Sequence, residues 1–455
     1  MVTSLDKKNL IAHLMRRAGF GSNYDQLEEL SKLEYDQVVD QLLNPEFGSL
    51  EDQDLLDRYF IASVEARTAR HADPQWTWRL AKSHKQLEEK ISLFWHGLLA
   101  VGGIKLDHGL AMLTEIDLFR KYGLGNFGTL LLKISQDPGM MYWLDNQNSH
   151  KDAPNENYGR ELLELFSMGI DENGEGAYTE EDVKSAARAF TGWASKPTPP
   201  PFFLGPFPME FNFDESDHDN KEKTFLGKKG NFNGQDIVNM VAMHKATADF
   251  ICKRLYLYFV SEEVNEKEVK KLSNVYMNSE GEIKKVLESM FKSEHFKSEE
   301  IRFKKVKSPS DLVFGITRLV DKYDIPNLDS AELAVNTLLM GQFLLNPPSV
   351  EGWHEGEEWI DSGSLIERIN YASGEISNTS SNGVKKIIEI VLEKNIASTD
   401  EMLNNCLEAL GYIEITESTK KIIEDHINKN KFNNQEEKIL DVLKLIVSTP
   451  DFQYC

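Results

Sequence analysis

The sequence predicts a mainly α-helical protein, with a large multi-helix body, long ordered loops rich in aromatic residues and proline, and little or no sheet. Most of the 455 residues follow the i, i+3, i+4, i+7 apolar spacing of amphipathic helices, and period-two alternation is scarce. The chain also contains the material for a large core, because 40% of its residues are hydrophobic and 10% are aromatic. These proportions indicate a folded protein rather than a disordered one.

Changes in composition along the chain predict four parts. Residues 1–195 form an N-terminal helical part, and residues 196–234 form a loop packed on the body. Residues 235–374 form a second helical part that contains a Pro-Pro and Gly-Trp segment. Residues 375–455 are rich in Lys, Glu, Asn and Ile and are expected to form peripheral helices.

Two helices of the first part have clear boundary signals. Thr179 supplies a capping hydroxyl, the residues 180–182 supply an acidic first turn, and Gly192 follows the apolar stripe as a stop signal. The second helix is predicted from Tyr158 to Met168, where three apolar residues form the buried stripe and a glycine ends it. The stripe consists of Leu162, Leu163 and Phe166.

The predicted loop begins where prolines and aromatic residues crowd together. Proline fixes φ and removes a backbone donor, so neither a helix nor a central strand is expected there. A flexible linker would not contain so many aromatic residues, and loops of this length are usually functional. We therefore expect an ordered loop that continues to about Asn233. Its characteristic residues are Pro197, Pro199, Pro200, Pro201, Phe202, Phe203, Pro206, Phe207 and Pro208.

Charge and cysteine content exclude several classes of partner. The chain has 51 Lys and Arg against 74 Asp and Glu, a formal net charge of −23. It therefore lacks the basic surplus that binds nucleic acid or an anionic membrane surface. The three cysteines are too few for a disulfide framework. No apolar run reaches the roughly 18 residues of a membrane span, and the first residues lack the pattern of a signal peptide. We therefore expect a cytoplasmic protein.

The densest polar cluster covers Asp145–Asn148 and Asn155–Glu164. Asn155 is positioned to cap a helix on which Glu156 and Arg160 share one stripe. One interpretation is a solvated ladder of ion pairs, each contributing about 0.3–0.5 kcal/mol. The other is a site in which carboxylate and amide oxygens hold a divalent cation and Arg160 orients an anionic group.

A second cluster begins with the Asp217-His218 pair and ends at Lys223. His218 has the chemistry of a general base or metal ligand, although a solvated loop histidine has the same pattern. His96 and His244 lie in helical stretches and are expected to be satisfied core or helix-surface histidines. The sequence has none of the standard signatures of zinc proteases, serine hydrolases, nucleotide triphosphatases or dinucleotide-binding proteins.

Several of these motifs, in the same order, resemble a large bacterial family known only as the domain of unknown function numbered eighteen hundred. The resemblance implies a shared helical fold and a shared polar site, but no reaction. Many relatives look exported, and many occur beside a protein that resembles a sulfatase-type hydrolase, which is therefore an expected partner. This chain departs from the family pattern at residues 220–222, where a glycine is usual. The motifs lie in residues 13–21, 154–166, 178–193, 218–227, 305–318 and 346–359, and the resemblance fades after about Gly374.

Two functional hypotheses follow. The first is an enzyme, hydrolytic or group-transferring and perhaps assisted by a divalent cation, that acts on a small molecule or glycan. Its catalytic candidates are Glu156, Arg160, Glu161 and His218, and its substrate-binding candidates are Asn155, Lys223, Trp193 and Trp353. The second is a non-catalytic module in which the tryptophan-bearing loops recognise a protein partner or a glycan. The sequence assigns neither metal ligands nor a cofactor.

Overall fold

The computed structural model describes residues 4–45, 53–60, 69–171, 173–197 and 208–455. It confirms the predicted fold class, since 63% of these residues are helical and 5% are in strand. Within the described ranges, no helix is both long and apolar enough to cross a membrane. The three cysteines are free and buried.

The described residues contain twenty-four α-helices. The first twelve are Ser4–Ala18, Tyr24–Leu30, Tyr35–Leu43, Gln53–Tyr59, Ala69–Lys82, Gln86–Leu98, Gly103–Leu106, Gly109–Tyr122, Phe127–Ser135, Pro138–Trp143, Asn157–Glu164 and Glu180–Ala189. The other twelve are Gly234–Ala242, Lys245–Phe259, Glu266–Asn278, Ile283–Phe291, Glu294–Lys297, Pro309–Leu319, Glu332–Leu339, Ser362–Ser377, Asn382–Glu393, Thr399–Ala409, Glu417–Lys429 and Gln435–Val447.

Four short strands form two antiparallel pairs. Strand β1 (Trp193–Lys196) pairs with β2 (Glu210–Phe213), and β3 (Lys223–Phe225) pairs with β4 (Lys228–Gly230). The first pair brings together the two ends of the predicted aromatic loop. The central part of that loop, residues 198–207, lies outside the described residues.

The boundary signals of the helix after Thr179 are confirmed. The helix spans Glu180–Ala189, the Thr179 hydroxyl accepts a hydrogen bond from the Asp182 N–H at 3.2 Å, and the Asp182 carboxylate accepts one from the Thr179 N–H at 2.8 Å. Gly192 has φ +77°, which suits a glycine. Local sequence therefore determines both ends of this helix.

The helix predicted from Tyr158 to Met168 is shorter than expected, because it ends at Glu164. The N–H groups of Met168 and Gly169 both donate to the carbonyl of Leu163, so the chain turns out of the helix there. Its apolar stripe is fully buried as predicted. Phe166 lies beyond the end of the helix and is still buried.

The helix Gln86–Leu98 lies at the centre of the core and is buried on nearly every face. Polar side chains on such a helix need partners inside the protein. Glu89 forms an ion pair with Arg120, in which the Arg120 Nε and the Glu89 Oε1 are 2.9 Å apart, and Lys90 forms one with Asp311. Among the described residues, His96 on the same helix has no hydrogen-bond partner.

The last part of the chain is joined closely to the body. The helix Ser362–Ser377 runs through the predicted boundary at residue 374 and packs on Gln435–Val447. Gln453 accepts a hydrogen bond on its carbonyl from the Lys307 N–H at 2.8 Å and is buried. The division into four parts stays a prediction, but the chain end reaches the interior.

Candidate functional site

The Arg160 guanidinium is engaged by two carboxylates. Its two terminal nitrogens donate to both oxygens of Glu180, at 2.8 and 2.7 Å, and one of them lies 3.4 Å from Glu156. The hydrogen bonds to Glu180 raise the pKa of Arg160. All three side chains are at least one-third exposed, so this part of the stripe is a solvated ion-pair cluster of the kind that stabilises little.

An open groove of about 420 Å³ lies beside this cluster. Its polar wall includes Arg160, Glu164, Tyr178 and Glu180. Glu161 is half-buried on the same helix, and burial, followed by Glu164, raises the pKa of its carboxyl. Glu161 therefore holds a proton more readily than an exposed glutamate, which suits a proton donor.

Asn155 ties the start of this helix to the second cluster. Its backbone N–H donates to the Ser149 hydroxyl at 3.0 Å, and the Ser149 carbonyl accepts from the Gly192 N–H at 3.3 Å. The Asn155 side chain accepts from the Asn157 N–H at 2.9 Å. The N-cap residue is Glu156, which makes no side-chain cap hydrogen bond, so Asn155 lies one residue before the position predicted for it. The side chain and backbone of residues 150 and 151 contact residues 216 and 217. We call this region, residues 149–155 together with residues 214–219, the junction.

His218 is buried in the junction with a fixed ring orientation. Its Nδ1 lies 2.8 Å from the Thr191 carbonyl oxygen, and the ring packs edge-on to Phe213. A carbonyl only accepts, so Nδ1 carries the proton and Nε2 keeps its lone pair. His218 is therefore arranged as a proton acceptor at Nε2.

His150 is a second oriented histidine, which the sequence did not identify. Its Nδ1 lies 2.5 Å from an Asp217 oxygen, and the imidazole is 55% exposed. The other Asp217 oxygen accepts from the Lys151 N–H at 3.2 Å. The hydrogen bonds from His150 and the Lys151 N–H lower the pKa of Asp217. The only sequence signal was the position of His150 between two polar clusters.

Lys223 and Asp219 hold the loop together. Lys223 is 1% exposed, and its ammonium donates to the carbonyls of Asp219 and Lys221. Burial lowers the pKa of Lys223. The Asp219 carboxylate pairs with Arg188 at 2.7 Å. The Lys223 ammonium therefore binds the main chain of its own loop.

The two candidate tryptophans pack inward. Trp193 is 4% exposed and makes edge contacts with Phe190 and Phe211, each with ring centroids 5.0 Å apart. Trp353 is half-buried, its indole N–H donates to the Phe343 carbonyl at 3.2 Å, and its ring lies against His96. Both rings seal loops onto the core, so neither supports a stacking platform for a glycan.

The expected site is brought together only in part. Asn155 reaches the junction with His218, but Arg160 points to Glu180, at the other end of the helix Glu180–Ala189. Ten helical residues separate these ends by about 15 Å. Glu156 stays near Arg160, so the polar stripe and the histidines do not converge on one point.

The largest correction concerns His96. His96 and His244 were both expected to have hydrogen-bond partners. His244 has one, because its Nδ1 accepts from the Ala246 N–H at 3.2 Å. His96 is fully buried, as is Glu115, 3.5 Å away. Within the described part of the chain neither side chain has a hydrogen-bond partner. Because the surrounding sequence is apolar, no local pattern signalled this pair.

Burial shifts the proton affinities around His96. It lowers the pKa of His96 to about 3 and raises that of Glu115 well above its ordinary value. Burial, and then the nearby Glu115, raise the pKa of Asp137 to about 8. Burial therefore disfavours the charged form of all three side chains.

The variant Glu115→Gln is expected to flatten the fall in stability between about pH 5 and pH 8. A carboxyl whose pKa is raised on folding stabilises fully below its unfolded pKa, and this stability is lost as pH rises through the folded pKa. Wild type should therefore lose more unfolding free energy than the variant as pH rises over this range. Urea unfolding at several pH values measures the difference.

The exposed Glu294→Gln variant is the control, since Glu294 is 93% exposed. Its pH profile should follow that of wild type. The contribution of His96 has the opposite sign, because its lowered pKa gives stability that is lost as pH falls from about 6.5 toward 3. Parallel profiles for wild type and Glu115→Gln would contradict a raised Glu115 pKa.

The described ranges contain no cluster of side chains of the kind that binds a metal ion. No group of three or more His, Cys, Asp and Glu side chains there is arranged to hold a metal ion. The cation considered from the sequence therefore has no ready ligand set among these residues.

Comparisons with known proteins give a family but no activity. A family model described as "Protein of unknown function (DUF1800)" matches residues 13–454. The match includes the residues after Gly374, where the resemblance in motifs had been expected to fade. No curated protein and no solved structure gives a significant match to the chain.

Proposed function

The chain belongs to the DUF1800 family, and we propose that it is an enzyme whose proton-transfer site is the junction. The observation that carries this proposal is a pair of histidines with their Nδ1 atoms engaged. Asp217 holds His150 and the Thr191 carbonyl holds His218. Because Asp217 and His218 are adjacent in sequence, the carboxylate that holds the exposed His150 lies next to the buried His218.

This arrangement suits general acid–base catalysis. An imidazole whose Nδ1–H is held by an acceptor presents Nε2 as a base, and a carboxylate on Nδ1 stabilises the imidazolium that forms. His150 is exposed and reaches solvent, whereas His218 sits deeper. The reaction class is hydrolysis or group transfer, in which a histidine removes a proton from water or a hydroxyl.

The candidates on the helix Asn157–Glu164 stay in the proposal as groups that orient substrate. Arg160 lines the groove, and Glu156 and Glu161 lie on the same helix. This helix is about 12 Å long, so one substrate would have to be extended to contact both the groove and the histidines. Glu161, with its raised pKa, would serve as a second proton donor.

The variant His218→Gln is expected to lower turnover by about 10²- to 10⁴-fold, the range typical of a general base. His150→Gln should also lower it and should change the pH profile. A panel of chromogenic acetate, phosphate and sulfate esters and glycosides measures this with wild type and both variants.

The pair His354–Glu358 offers a matched control. Its Nδ1 to oxygen distance is 2.8 Å and both side chains are 68% exposed, so His354→Gln removes a similar contact outside the junction. It should leave turnover unchanged. Equal rates for His218→Gln and wild type would rule out the junction as the site, and inactivity of wild type on the whole panel would exclude these reaction classes.

A further inference from the structure

Two segments outside the proposed site meet at a small cavity. Residues 305–309 and residues 346–359 both carry the family resemblance, and the fold places them side by side. Between them lies a cavity of about 50 Å³. Its lining includes the donors Arg254, Lys305 and Gln342, the carboxylates Asp311 and Glu355, and the rings of Trp353 and Trp359.

The carboxylates around this cavity are already engaged. Glu355 pairs with Arg254 at 3.1 Å. Asp311 forms a buried ion pair with Lys90, and Glu262 accepts a hydrogen bond from the Val306 N–H at 2.7 Å. Glu355 and Asp311 are thus paired with cations, whereas the Glu262 carboxylate has this N–H donor and acts on Lys305 only through space.

Lys305 is the cation without a partner. Among the residues that the structure describes, its ammonium makes neither a hydrogen bond nor an ion pair, although Glu355 is close enough to act on it through space. Its side chain is half-buried, and burial lowers its pKa. A half-buried cation that makes no ion pair is stabilised by an anion placed beside it.

Gln342 and Arg254 have further N–H groups that can donate hydrogen bonds. Gln342 is 3% exposed, and its side-chain oxygen accepts from the Ser310 N–H at 2.9 Å, which leaves its NH₂ group as a donor. Arg254 uses one terminal nitrogen for Glu355 and retains its other N–H groups. The cavity therefore has a surplus of hydrogen-bond donors, two of which, Lys305 and Arg254, are cationic.

The size of the cavity limits the ligand. A volume of about 50 Å³ leaves room for only roughly one or two water molecules or for one small ion, which is the scale of a tetrahedral oxyanion. The rings of Trp353 and Trp359 form apolar walls. We propose that this cavity binds phosphate or sulfate, free or as the terminal group of a small monoester, with Lys305 as counter-ion and Arg254 and Gln342 as donors.

The test uses the intact chain. Phosphate and sulfate are titrated at constant ionic strength against chloride, and binding is followed by thermal unfolding and by tryptophan emission. Wild type should gain stability with increasing oxyanion concentration. Lys305→Gln should bind about tenfold more weakly or worse, because a charged hydrogen bond contributes about 1.5–3 kcal/mol.

Lys304→Gln is the matched control, because Lys304 is the adjacent, exposed lysine. It should bind as wild type does, and Lys305→Arg should retain binding. Without oxyanion, Lys305→Gln should be at least as stable as wild type, which shows that it folds. If it does not fold, Arg254→Gln should show the weakened binding instead.

Equal oxyanion responses in wild type and Lys305→Gln, or no response in wild type beyond that of chloride, would overturn the proposal. Glycerol phosphate distinguishes the two sources: tighter binding than inorganic phosphate assigns a monoester, and weaker binding assigns the free ion. His218→Gln should bind phosphate as wild type does. The proposed oxyanion site can therefore be tested independently of the proposed catalytic role of the junction.

Discussion

Replacing Gly352 with alanine is expected to destabilise the protein by about 2–5 kcal/mol. Gly352 has φ +90°, and an added Cβ would lie 1.9 Å from the carbonyl oxygen of Gly97. The left-handed conformation alone costs an alanine roughly 1–2 kcal/mol. The clash adds to this, because Gly97 belongs to the buried helix Gln86–Leu98 and its backbone cannot move away.

Gly227→Ala separates the two contributions. Gly227 has φ +74°, but nothing lies within 4 Å of the position of an added Cβ. It should therefore show only the conformational cost of roughly 1–2 kcal/mol. Urea unfolding of the two variants measures the difference. Equal losses would mean that the segment 346–353 does not close on the central helix as the structure has it.

Asp311→Ala is expected to cost about 3–5 kcal/mol, because it leaves the Lys90 ammonium buried without a counter-ion. The two side chains are only 10% and 4% exposed. Lys90 also lies over the rings of Phe20 and Tyr258, 4.9 and 5.5 Å from their centroids. In addition, the Asp311 carboxylate accepts from the Ser308 N–H at 3.1 Å and caps the helix Pro309–Leu319.

The double variant Lys90→Met with Asp311→Leu tests the cause. Replacement of a buried ion pair by apolar side chains is often neutral, so stability should recover except for about 1 kcal/mol from the lost cap. The exposed pair Lys184–Glu181 is the control, and Glu181→Ala should leave the unfolding free energy nearly unchanged. A similar small loss for Asp311→Ala would contradict a buried ion pair.

The sequence determined the features that depend on near neighbours. The helical periodicity gave the fold class, and the capping pair Thr179–Asp182 gave both the start and the geometry of one helix. The i, i+4 spacing also placed Glu156 beside Arg160, as the structure confirms. Such signals are readable because they join residues within about one helical turn.

Only the tertiary structure decided which polar side chains lie close to one another. Glu180 rather than His218 faces Arg160, and His150 meets a carboxylate 67 residues away. The packing of two core helices leaves His96 and Glu115 without hydrogen bonds to any residue that the structure describes, and Lys305 lines the same cavity as the tryptophans of a distant segment. Periodicity shows which face of a helix is buried but not which element covers it. The partner of a buried charge is therefore determined by long-range packing, which local sequence does not encode.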